Sequence, residues 1–457
     1  MSQSFAADAE NASTPVVSAL YRAVWRWHFY AGLLVLPFLV SIAITGGIYL
    51  FKDEINGMIY GQLMHVAPSS AAEAKPSELL AAALAKVPGA AIGYMPPPAA
   101  DRAAQVRIAA DSGSTQVVFV DPHTREVTGA SEDGGFAGSP LMLTIRHIHS
   151  LKVFGWFAER LVEIVGGWAM ILVMTGIYLW WPRTQTGGVV TVRGTPGRRV
   201  FWRDLHAVTG LFVGVFLLFL ALTGMPWSGY WGNHLNTYAN AWGFGYPAQF
   251  WDNVPKSTVP MKEAMEKTSW TLENQPMPVS MPNGLAPIGI DKAIAIFETL
   301  GLAKGYSIDL PGGAEGVYSA SIFPKQVAGE RVVHIDQYSG KTLFDGGFKE
   351  EGLVAKGIEW GVSVHTGQEF GRFNQLLMLA ACMAIVLMAV SAAVMWWKRR
   401  PKGRLGAPAF PADYRVPRGI LVIATAMGLA FPLVGLSMLV MMAIDWLLPR
   451  SLRARLA

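Results

Sequence analysis

Residues 25–46 read WRWHFYAGLLVLPFLVSIAITG, and residues 203–224 read RDLHAVTGLFVGVFLLFLALTG. The two stretches align without a gap at an offset of 178 residues, and each is apolar over the length of a membrane-spanning helix. The matched residues are His28 with His206, Gly32 with Gly210, Thr45 with Thr223, and Gly46 with Gly224. The chain therefore contains an internal repeat, and each copy carries a histidine near its start.

A second pair of stretches aligns at an offset of 216 residues. It matches a histidine ahead of the apolar run, a Phe-Gly pair at the start of the run and a Trp-Trp pair at its end. The matched residues are His149 with His365, Phe154-Gly155 with Phe370-Gly371, Thr175-Gly176 with Ser391-Ala392, and Trp180-Trp181 with Trp396-Trp397. Each half of the chain thus reads as span, polar region, span. Parallel repeats of this kind are related by a pseudo-twofold axis along the membrane normal.

The composition is that of a membrane protein. Of the 457 residues, 52% are hydrophobic and 15% are charged, against roughly a quarter charged in soluble domains. The single cysteine, Cys382, excludes a disulfide framework, a Cys-ligated iron–sulfur cluster and a covalently attached c-type haem. The sequence also contains none of the common phosphate-cradling or nucleophile-elbow motifs.

Five apolar stretches are long enough to cross the hydrocarbon core, which takes about 20 helical residues. The first follows a polar tail without a cleavable signal pattern, so we expect it to remain as an anchor. The resulting division is 1–20 tail, 21–51 first span, 52–150 first polar domain, 151–182 second span, 183–203 basic loop, 204–227 third span, 228–364 second polar domain, 365–397 fourth span, 398–418 basic loop, 419–448 fifth span or broken hairpin, and 449–457 tail.

The charges of the short loops predict the orientation in the membrane. Segment 183–203 contains five arginines and no acid, and segment 398–418 contains seven Lys or Arg against Asp413 alone. Lys and Arg concentrate on the cytoplasmic side of membrane proteins. We therefore predict a multi-pass protein of the bacterial inner membrane, with both long polar domains in the periplasm. Its fold class is an integral membrane α-helical bundle with two parallel structural repeats and a C-terminal apolar segment.

The last apolar run permits two arrangements. As a fifth span it would carry the tail with Arg450, Arg453 and Arg455 to the periplasm, against the charge rule. Pro432 lies inside this run, and proline interrupts helices. A broken or shallow hairpin is therefore the other arrangement.

The repeat sorts four of the nine histidines into two layers. His28 and His206 begin their helices at the cytoplasmic side, whereas His149 and His365 precede theirs at the periplasmic side. Two imidazoles that face each other across a pseudo-dyad are the ligand set of six-coordinate haem b iron. We therefore predict two b haems, one in each layer. No carboxylate accompanies the four positions consistently, which argues against a di-metal carboxylate site.

Glycines share the histidine faces of the same helices. Gly32 and Gly210 follow their histidines by four residues, which is just over one turn. Gly46 and Gly224 follow by 18 residues, which is five turns or about 27 Å. Small residues there let a flat macrocycle approach the backbone. Each helix is thus predicted to ligate one haem and to make room for the other.

Ordinary roles compete with this interpretation, because interfacial histidines cap helices and glycines in spans serve helix packing. Four matched histidines with glycines on the same face favour the haem hypothesis. His147 is an alternative ligand to His149, although only His149 has a repeat partner. Arg160 lies near the helical face of His149 and is a candidate partner for a haem propionate. Its alternative is a surface pair with Glu163.

The two polar regions each read as a small α+β domain. The expected elements are a helix at 76–86 with strands at 105–109 and 115–121, and a helix near 290–302 with strands near 316–323 and 331–336. His123 and His334 fall in these strands and turns without equivalent partners and are interpreted as structural. The aromatic segment 226–251, with His234, reads either as an interfacial belt or as a cup that admits a polar ligand over the periplasmic haem.

The chain resembles the PepSY-associated transmembrane family. The likeness covers roughly residues 20–400 and is carried by WRWHFYAGLL in the first span, IRHIHSL before the second, DLHAVTGL in the third and VHTGQEFGRFN before the fourth. The units VDPHTREV and IDQYSGKT resemble PepSY modules. Members are associated with bacterial iron acquisition, and some resemble inner-membrane reductases that reduce ferric siderophores in the periplasm with two b haems. The resemblance implies the same role here.

We therefore expect an oxidoreductase that passes electrons from the cytoplasmic side to a periplasmic ferric siderophore and releases iron as Fe(II). The donor is a cytoplasmic reductant or a quinol, the surroundings are the lipid bilayer, and no nucleic acid is involved. No residue is assigned a catalytic role. The alternatives are a haem electron-transfer protein with another acceptor, a haem-free siderophore transporter, and a haem-free PepSY protein that binds other envelope proteins.

Overall fold

The computed structural model describes residues 19–182, 187–282, 284–402, 404–407 and 418–447. The predicted tail 449–457 lies outside the described residues. The tail 1–20 and the loops 183–203 and 398–418 lie outside them in part.

The helices of the described residues are, in chain order, α1 (Ala19–Tyr49), α2 (Lys52–Met64), α3 (Pro76–Lys86), α4 (Pro140–His149), α5 (Trp156–Trp180), α6 (Arg199–Gly224), α7 (Trp231–Ala241), α8 (Met261–Ala264), α9 (Gly289–Thr299), α10 (Leu353–His365), α11 (Gly371–Arg399), α12 (Arg418–Ala430) and α13 (Pro432–Leu447). The strands are β1 (Gly89–Met95), β2 (Ala104–Ala110), β3 (Thr115–Val120), β4 (Val127–Glu132), β5 (Lys256–Pro260), β6 (Pro276–Pro278), β7 (Ser307–Asp309), β8 (Val317–Ile322), β9 (Arg331–Asp336) and β10 (Thr342–Gly347).

Among the described residues, four helices are long and apolar enough to cross a membrane. They are α1, α5, α6 and α11, and the third continues as a short turn to Trp227. At 1.5 Å per residue, even the 25 residues of α5 exceed the roughly 30 Å of a hydrocarbon core. The protein is therefore an integral membrane protein.

The C-terminal apolar run is two short helices rather than one long one. Helices α12 and α13 have 13 and 16 residues, fewer than the roughly 20 that a span needs. A Cβ added to Gly428 would lie 3.1 Å from the Cα of Gly435. Seven residues of continuous helix would separate these positions by about 10 Å, so the chain reverses between them. Pro432, which lacks an N–H, begins the second helix. This is the broken-hairpin arrangement.

The chain divides into two compact units. The helical unit comprises the residues up to Val40, Ile164–Ala221 and those from Ala384 on, and the sheet unit comprises Ser41–Glu163 and Leu222–Met383. His28 and His206 belong to the helical unit. His149 and His365 belong to the sheet unit. Each predicted layer of histidines thus falls within one unit.

Within the sheet unit, one antiparallel sheet has the strand order β10-β9-β8-β7-β1-β2-β3-β4. The sequence predicts two separate small domains, but the structure joins their strands at β1 and β7. There Gly93 pairs with Asp309 and Tyr94 pairs with Ile308. An unpaired edge strand exposes backbone donors and acceptors, and pairing the two edges satisfies both.

Helices α3 and α9 cover one face of this sheet, and a single apolar core lies beneath them. The core residues include Leu79 and Phe297 from the helices and Val106, Ile308 and Val333 from the strands. Because side chains alternate along a strand, Val332 instead joins the core on the opposite face. The sheet is therefore covered by apolar packing on both faces at β9.

The histidines of the sheet unit end two short helices. His149 is the last residue of α4 and His365 is the last residue of α10. Gly155 (φ +91°) and Gly371 (φ +61°) follow, immediately before α5 and as the first residue of α11. Positive φ favours glycine, which explains why the repeated Phe-Gly pairs stand where the short helix gives way to the span.

Candidate functional site

The ring of His28 on α1 is fixed from α5. Its Nδ1 lies 2.9 Å from Oγ1 of Thr175, whose hydroxyl donates to the Ile171 carbonyl at 2.8 Å. Because that hydroxyl proton is already engaged, Thr175 accepts the Nδ1–H, and the lone pair of His28 is at Nε2. A Cβ at Gly176 would lie 3.3 Å from Cε1 of His28. Glycine at this position therefore makes room for the ring.

His206 on α6 is fixed from α11. Its Nδ1 lies 3.0 Å from the carbonyl oxygen of Met388, with Oγ of Ser391 at 3.5 Å. A carbonyl oxygen only accepts, so Nδ1 carries the proton and Nε2 carries the lone pair. His28 and His206 thus present the same nitrogen for ligation.

Both histidines line a cavity of about 440 Å³ in the helical unit. This volume lies within the range of small-molecule and cofactor sites. Four glycines contribute to the wall, so that a flat ligand can approach the backbone; they are Gly32, Gly176, Gly210 and Gly214. Gly32 and Gly210 thus lie beside the histidines as the helical spacing predicts.

Charged side chains that the sequence analysis did not single out line the same cavity. Asp204 is fully buried and forms ion pairs with Arg193 at 2.7 Å and with Arg203. Arg199 and Arg399 line the cavity as well, and neither has an ion pair within the described part of the chain. Their proximity to the histidines leaves no trace in the repeat, because neither arginine has a matched counterpart.

His149 is fixed from α1 within the sheet unit. Its Nδ1 lies 3.2 Å from Oγ1 of Thr45, and that hydroxyl donates to the Ser41 carbonyl at 2.7 Å. A Cβ at Gly46 would lie 3.2 Å from Cε1 of His149. Burial lowers the pKa of His149, so the ring is neutral at pH 7. A neutral imidazole with its lone pair at Nε2 is a competent metal ligand.

His365 has the matching environment. Its Nδ1 lies 2.8 Å from Oγ1 of Thr223, and a Cβ at Gly224 would lie 3.8 Å from its Cε1. Burial lowers the pKa of His365 to about 3, and the neighbouring His149 contributes to that lowering. The two imidazoles of the sheet unit therefore lie within electrostatic range of each other.

Three of the four rings contact a Thr-Gly pair on another helix. The hydroxyl binds Nδ1 and the glycine leaves room for the ring, and at the fourth ring Ser391-Ala392 takes this position. The sequence predicts that Gly46 and Gly224 make room for a haem. In the structure their nearest ring atoms belong to imidazoles, so the glycines admit the histidines themselves.

The structure separates His147 from His149. Two residues on a helix point about 200° apart, and only His149 makes contacts with Thr45 and Gly46. The pKa of His147 is lowered by partial burial and by the charges of Lys152 and Arg146. Its ring thus lies among charged groups rather than against the span.

Arg160 is held at the start of α5. It lies 3.7 Å from the carboxylate of Glu159 and stacks on Trp156. The alternative pair with Glu163 does not form, because fully buried Glu163 accepts the backbone N–H groups of Tyr230 and Trp231 at 3.2 and 3.1 Å. Glu163 therefore caps the N-terminus of α7.

The aromatic segment 226–251 divides into two parts. Phe250 and Trp251 pack with the sheet, where Trp251 stacks on Phe344 at 4.9 Å. Tyr238 and Trp242, on and directly after α7, are 53% and 71% exposed. Only this first part presents aromatic rings at a surface.

The remaining histidines have local contacts. His334 is fully buried and bonds Ser319 at 2.8 Å, and exposed His234 bonds the Tyr230 carbonyl at 2.8 Å. Within the described residues, no three His, Cys, Asp or Glu side chains converge to hold a bare metal ion.

Four membrane helices, an antiparallel sheet unit and two buried pairs of neutral imidazoles define an integral membrane protein with paired-histidine sites. The family described as PepSY-associated TM region matches residues 25–399. The chain belongs to this family. A search of curated proteins finds no match.

Proposed function

We propose that the protein is a di-haem b ferric-siderophore reductase of the bacterial inner membrane. The observation that carries the proposal is the shared state of the four imidazoles. Each has Nδ1 beside a hydroxyl or carbonyl oxygen, which leaves Nε2 as the ligand atom. Histidines that ligate metals are typically oriented in this way by a second hydrogen bond.

The residues fit the cofactor. His28 and His206 face a cavity lined by glycines, and bis-imidazole ligation is the ligand set of low-spin haem b. His149 and His365 form the second ligand pair. Arg199 and Arg399 place positive charge in the cavity, where the carboxylates of a haem find counterions. The glycines and neutral rings together suit a flat, apolar macrocycle with an acidic edge.

Haem iron held in this way supplies reversible one-electron transfer. The net reaction adds one electron to a bound Fe(III) chelate and yields Fe(II) and the released chelator. The electron comes from a cytoplasmic reductant or a quinol. Siderophore oxygens are hard donors that bind Fe(III) more strongly than Fe(II), so reduction releases the metal. The protein contributes positioning, tuning of potential and a docking surface.

The arrangement that accompanies this function is a bundle of two parallel repeats, with the sheet unit in the periplasm. The gapless offsets of 178 and 216 residues support the repeat. The matching contacts of Thr45 with His149 and of Thr223 with His365 support it as well. The basic loops support the orientation.

The first test is the reduced-minus-oxidised visible spectrum of detergent-purified protein with a pyridine haemochrome count. We expect a b-type α-band and close to two haems per chain. The variant His365→Ala is expected to lose one haem and the ferric-chelate reductase activity while it still inserts. The matched control is His234→Ala, which removes an exposed histidine of the same unit. A His365→Ala protein that keeps both haems would show that the ligand assignment is wrong.

A further inference from the structure

Three cations converge on one aromatic ring in the sheet unit. The ring of Phe136 lies 5.5 Å from Nζ of Lys52, 5.5 Å from Cζ of Arg146 and 3.9 Å from Nζ of Lys267. Lys267 also lies 3.7 Å from the ring of Phe323. These cations come from α2, from α4 and from the segment after α8, so the fold and not one helix brings them together.

The three charges are incompletely balanced. Lys52 pairs with Asp53 at 2.7 Å. Across the residues that the structure describes, neither Arg146 nor Lys267 has a carboxylate oxygen within 4.0 Å. Each cation gains about 1 kcal/mol from the ring. That gain does not remove the mutual repulsion of like charges in a partly buried place.

Electrostatics within the sheet unit confirm that the cations act on one another. Burial is the largest cause that lowers the pKa of Lys267, to about 7, and the charges of Lys52 and Arg146 lower it further. The carboxylates of Glu330 and Glu359 oppose this effect. A bound anion would restore the ordinary charge of Lys267.

Two further observations point to a ligand at this place. The hydroxyl of Tyr49 is buried, has no hydrogen-bond partner among the described residues, and lies within range of the charges of Arg146 and Asp53. Arg146 is also one turn before His149 on α4 and acts electrostatically on that ring. An arginine fork, two ammonium groups and a phenol are donors that carboxylates prefer.

We propose that Lys52, Arg146 and Lys267 form an anion site for carboxylate oxygens beside the second pair of histidines. The carboxylates belong either to a free ferric chelate, which makes the reductase selective for anionic chelates, or to haem propionates. The inference deepens the proposed function and rests on it for the identity of the carboxylate.

The test measures binding without redox chemistry. Isothermal titration of the full-length protein uses Ga(III)–EDTA, a redox-inert anionic chelate, and neutral Ga(III) tris(acetohydroxamate). Wild type is expected to bind the anionic chelate more tightly. Arg146→Gln and Lys267→Gln are expected to weaken that binding about tenfold or more, since each removes hydrogen bonds to a charged group. The matched control is Lys304→Gln, an exposed lysine of the same unit. Arg146 is itself exposed, so its replacement spares the core.

A redox titration distinguishes the two sources of carboxylate. If the wild type shows no preference for charge but Arg146→Gln and Lys267→Gln lower the midpoint potential of one haem, the carboxylates are propionates. The potential falls because a nearby cation disfavours the more positive oxidised iron. If both variants match Lys304→Gln in chelate binding and in potential, the anion site is wrong. A protein that purifies without haem refutes the proposed function, and the gallium titration then decides the anion site alone.

Discussion

At the scale of single residues, the buried imidazoles are prepared for ligation by their neighbours. Thr175 and Thr45 pass their own protons to backbone carbonyls and therefore accept from Nδ1 of His28 and His149. This arrangement fixes the tautomer and the plane of each ring before any metal binds. The preorganisation depends on the small residue that follows each hydroxyl, because a side chain there would displace the ring.

Gly46→Ala is expected to disturb one haem and Gly47→Ala is not. The added Cβ at position 46 would lie 3.2 Å from Cε1 of His149, so the ring must shift. The Cβ at position 47 would lie 3.6 Å from Cys382 and Leu379, which is ordinary contact. The measurement is the midpoint potential and amplitude of each b haem. Equal spectra and potentials in the two variants would contradict the role given to Gly46.

Glu351→Gln is expected to stabilise the protein progressively as the pH rises from 5 to 8. Glu351 is 4% exposed, and burial followed by the charge of Glu359 raises its pKa to about 8. The folded chain therefore retains a proton that the unfolded chain loses near pH 4.5, so stability falls as the pH rises between these values. The loss is at most about 1.4 kcal/mol per pH unit.

Thermal unfolding in detergent at pH 5, 6.5 and 8 measures this effect. The difference in unfolding temperature between Glu351→Gln and wild type should grow with pH. Glu298→Gln, which replaces an exposed carboxylate of the same unit, should show a constant difference. A constant difference for Glu351→Gln as well would contradict the shifted pKa.

At the scale of elements, the sheet depends on the junction of β1 with β7. Arg107 on β2 lies beside this junction and forms ion pairs with Asp309, at 2.6 Å, and with Glu266. Burial raises the pKa of both carboxyl groups, and the guanidinium opposes that effect. The arginine therefore allows acidic groups to lie where the two halves of the sheet meet.

Arg107→Leu is expected to destabilise the sheet unit by about 3 kcal/mol or more, because it leaves two buried carboxylates without a cation. The measurement is thermal unfolding of the purified protein near neutral pH. Arg125→Gln, at a side chain that is 58% exposed, provides the control and should change little. Unfolding temperatures that coincide for the two variants would show that the ion pairs do not support the junction.

The sequence predicts some of these elements well and others not at all. The offsets matched the histidines with their Thr-Gly pairs, and the strand pattern located β3 and β9, because both depend on local periodicity. The fusion of the sheets was not predictable, since Gly93, Tyr94 and Asp309 carry no mark of pairing with a distant strand. The cation cluster was missed for the same reason. The order of Pro432 and its flanking glycines suggested the hairpin but did not decide it.

At the scale of the whole molecule, positive charge is placed unevenly along the chain. The loop between α5 and α6 and the loop after α11 both belong to the helical unit and are rich in arginine. The long polar regions belong to the sheet unit. This distribution predicts that the loops and the sheet unit lie on opposite sides of the membrane.

Labelling of single cysteines in spheroplasts tests this topology. In a Cys382→Ser background, Lys304→Cys in the sheet unit should react with a membrane-impermeant maleimide in intact spheroplasts. Gly197→Cys in the loop before α6 should react only after permeabilisation. Both positions are exposed, so accessibility of the side chain does not limit either reaction. The opposite pattern of labelling would invert the orientation and, with it, the direction of electron transfer.

The shared sheet also constrains how the protein is made. Strand β1 ends at Met95, but its partner β7 begins only at Ser307, after two of the four long apolar helices have been synthesised. At bacterial elongation rates this interval lasts roughly 10 to 40 s. During that time the first four strands wait after translocation with an open edge, which is the kind of surface that aggregates or recruits chaperones. A third span that inserts slowly therefore delays the folding of a domain that was exported before it.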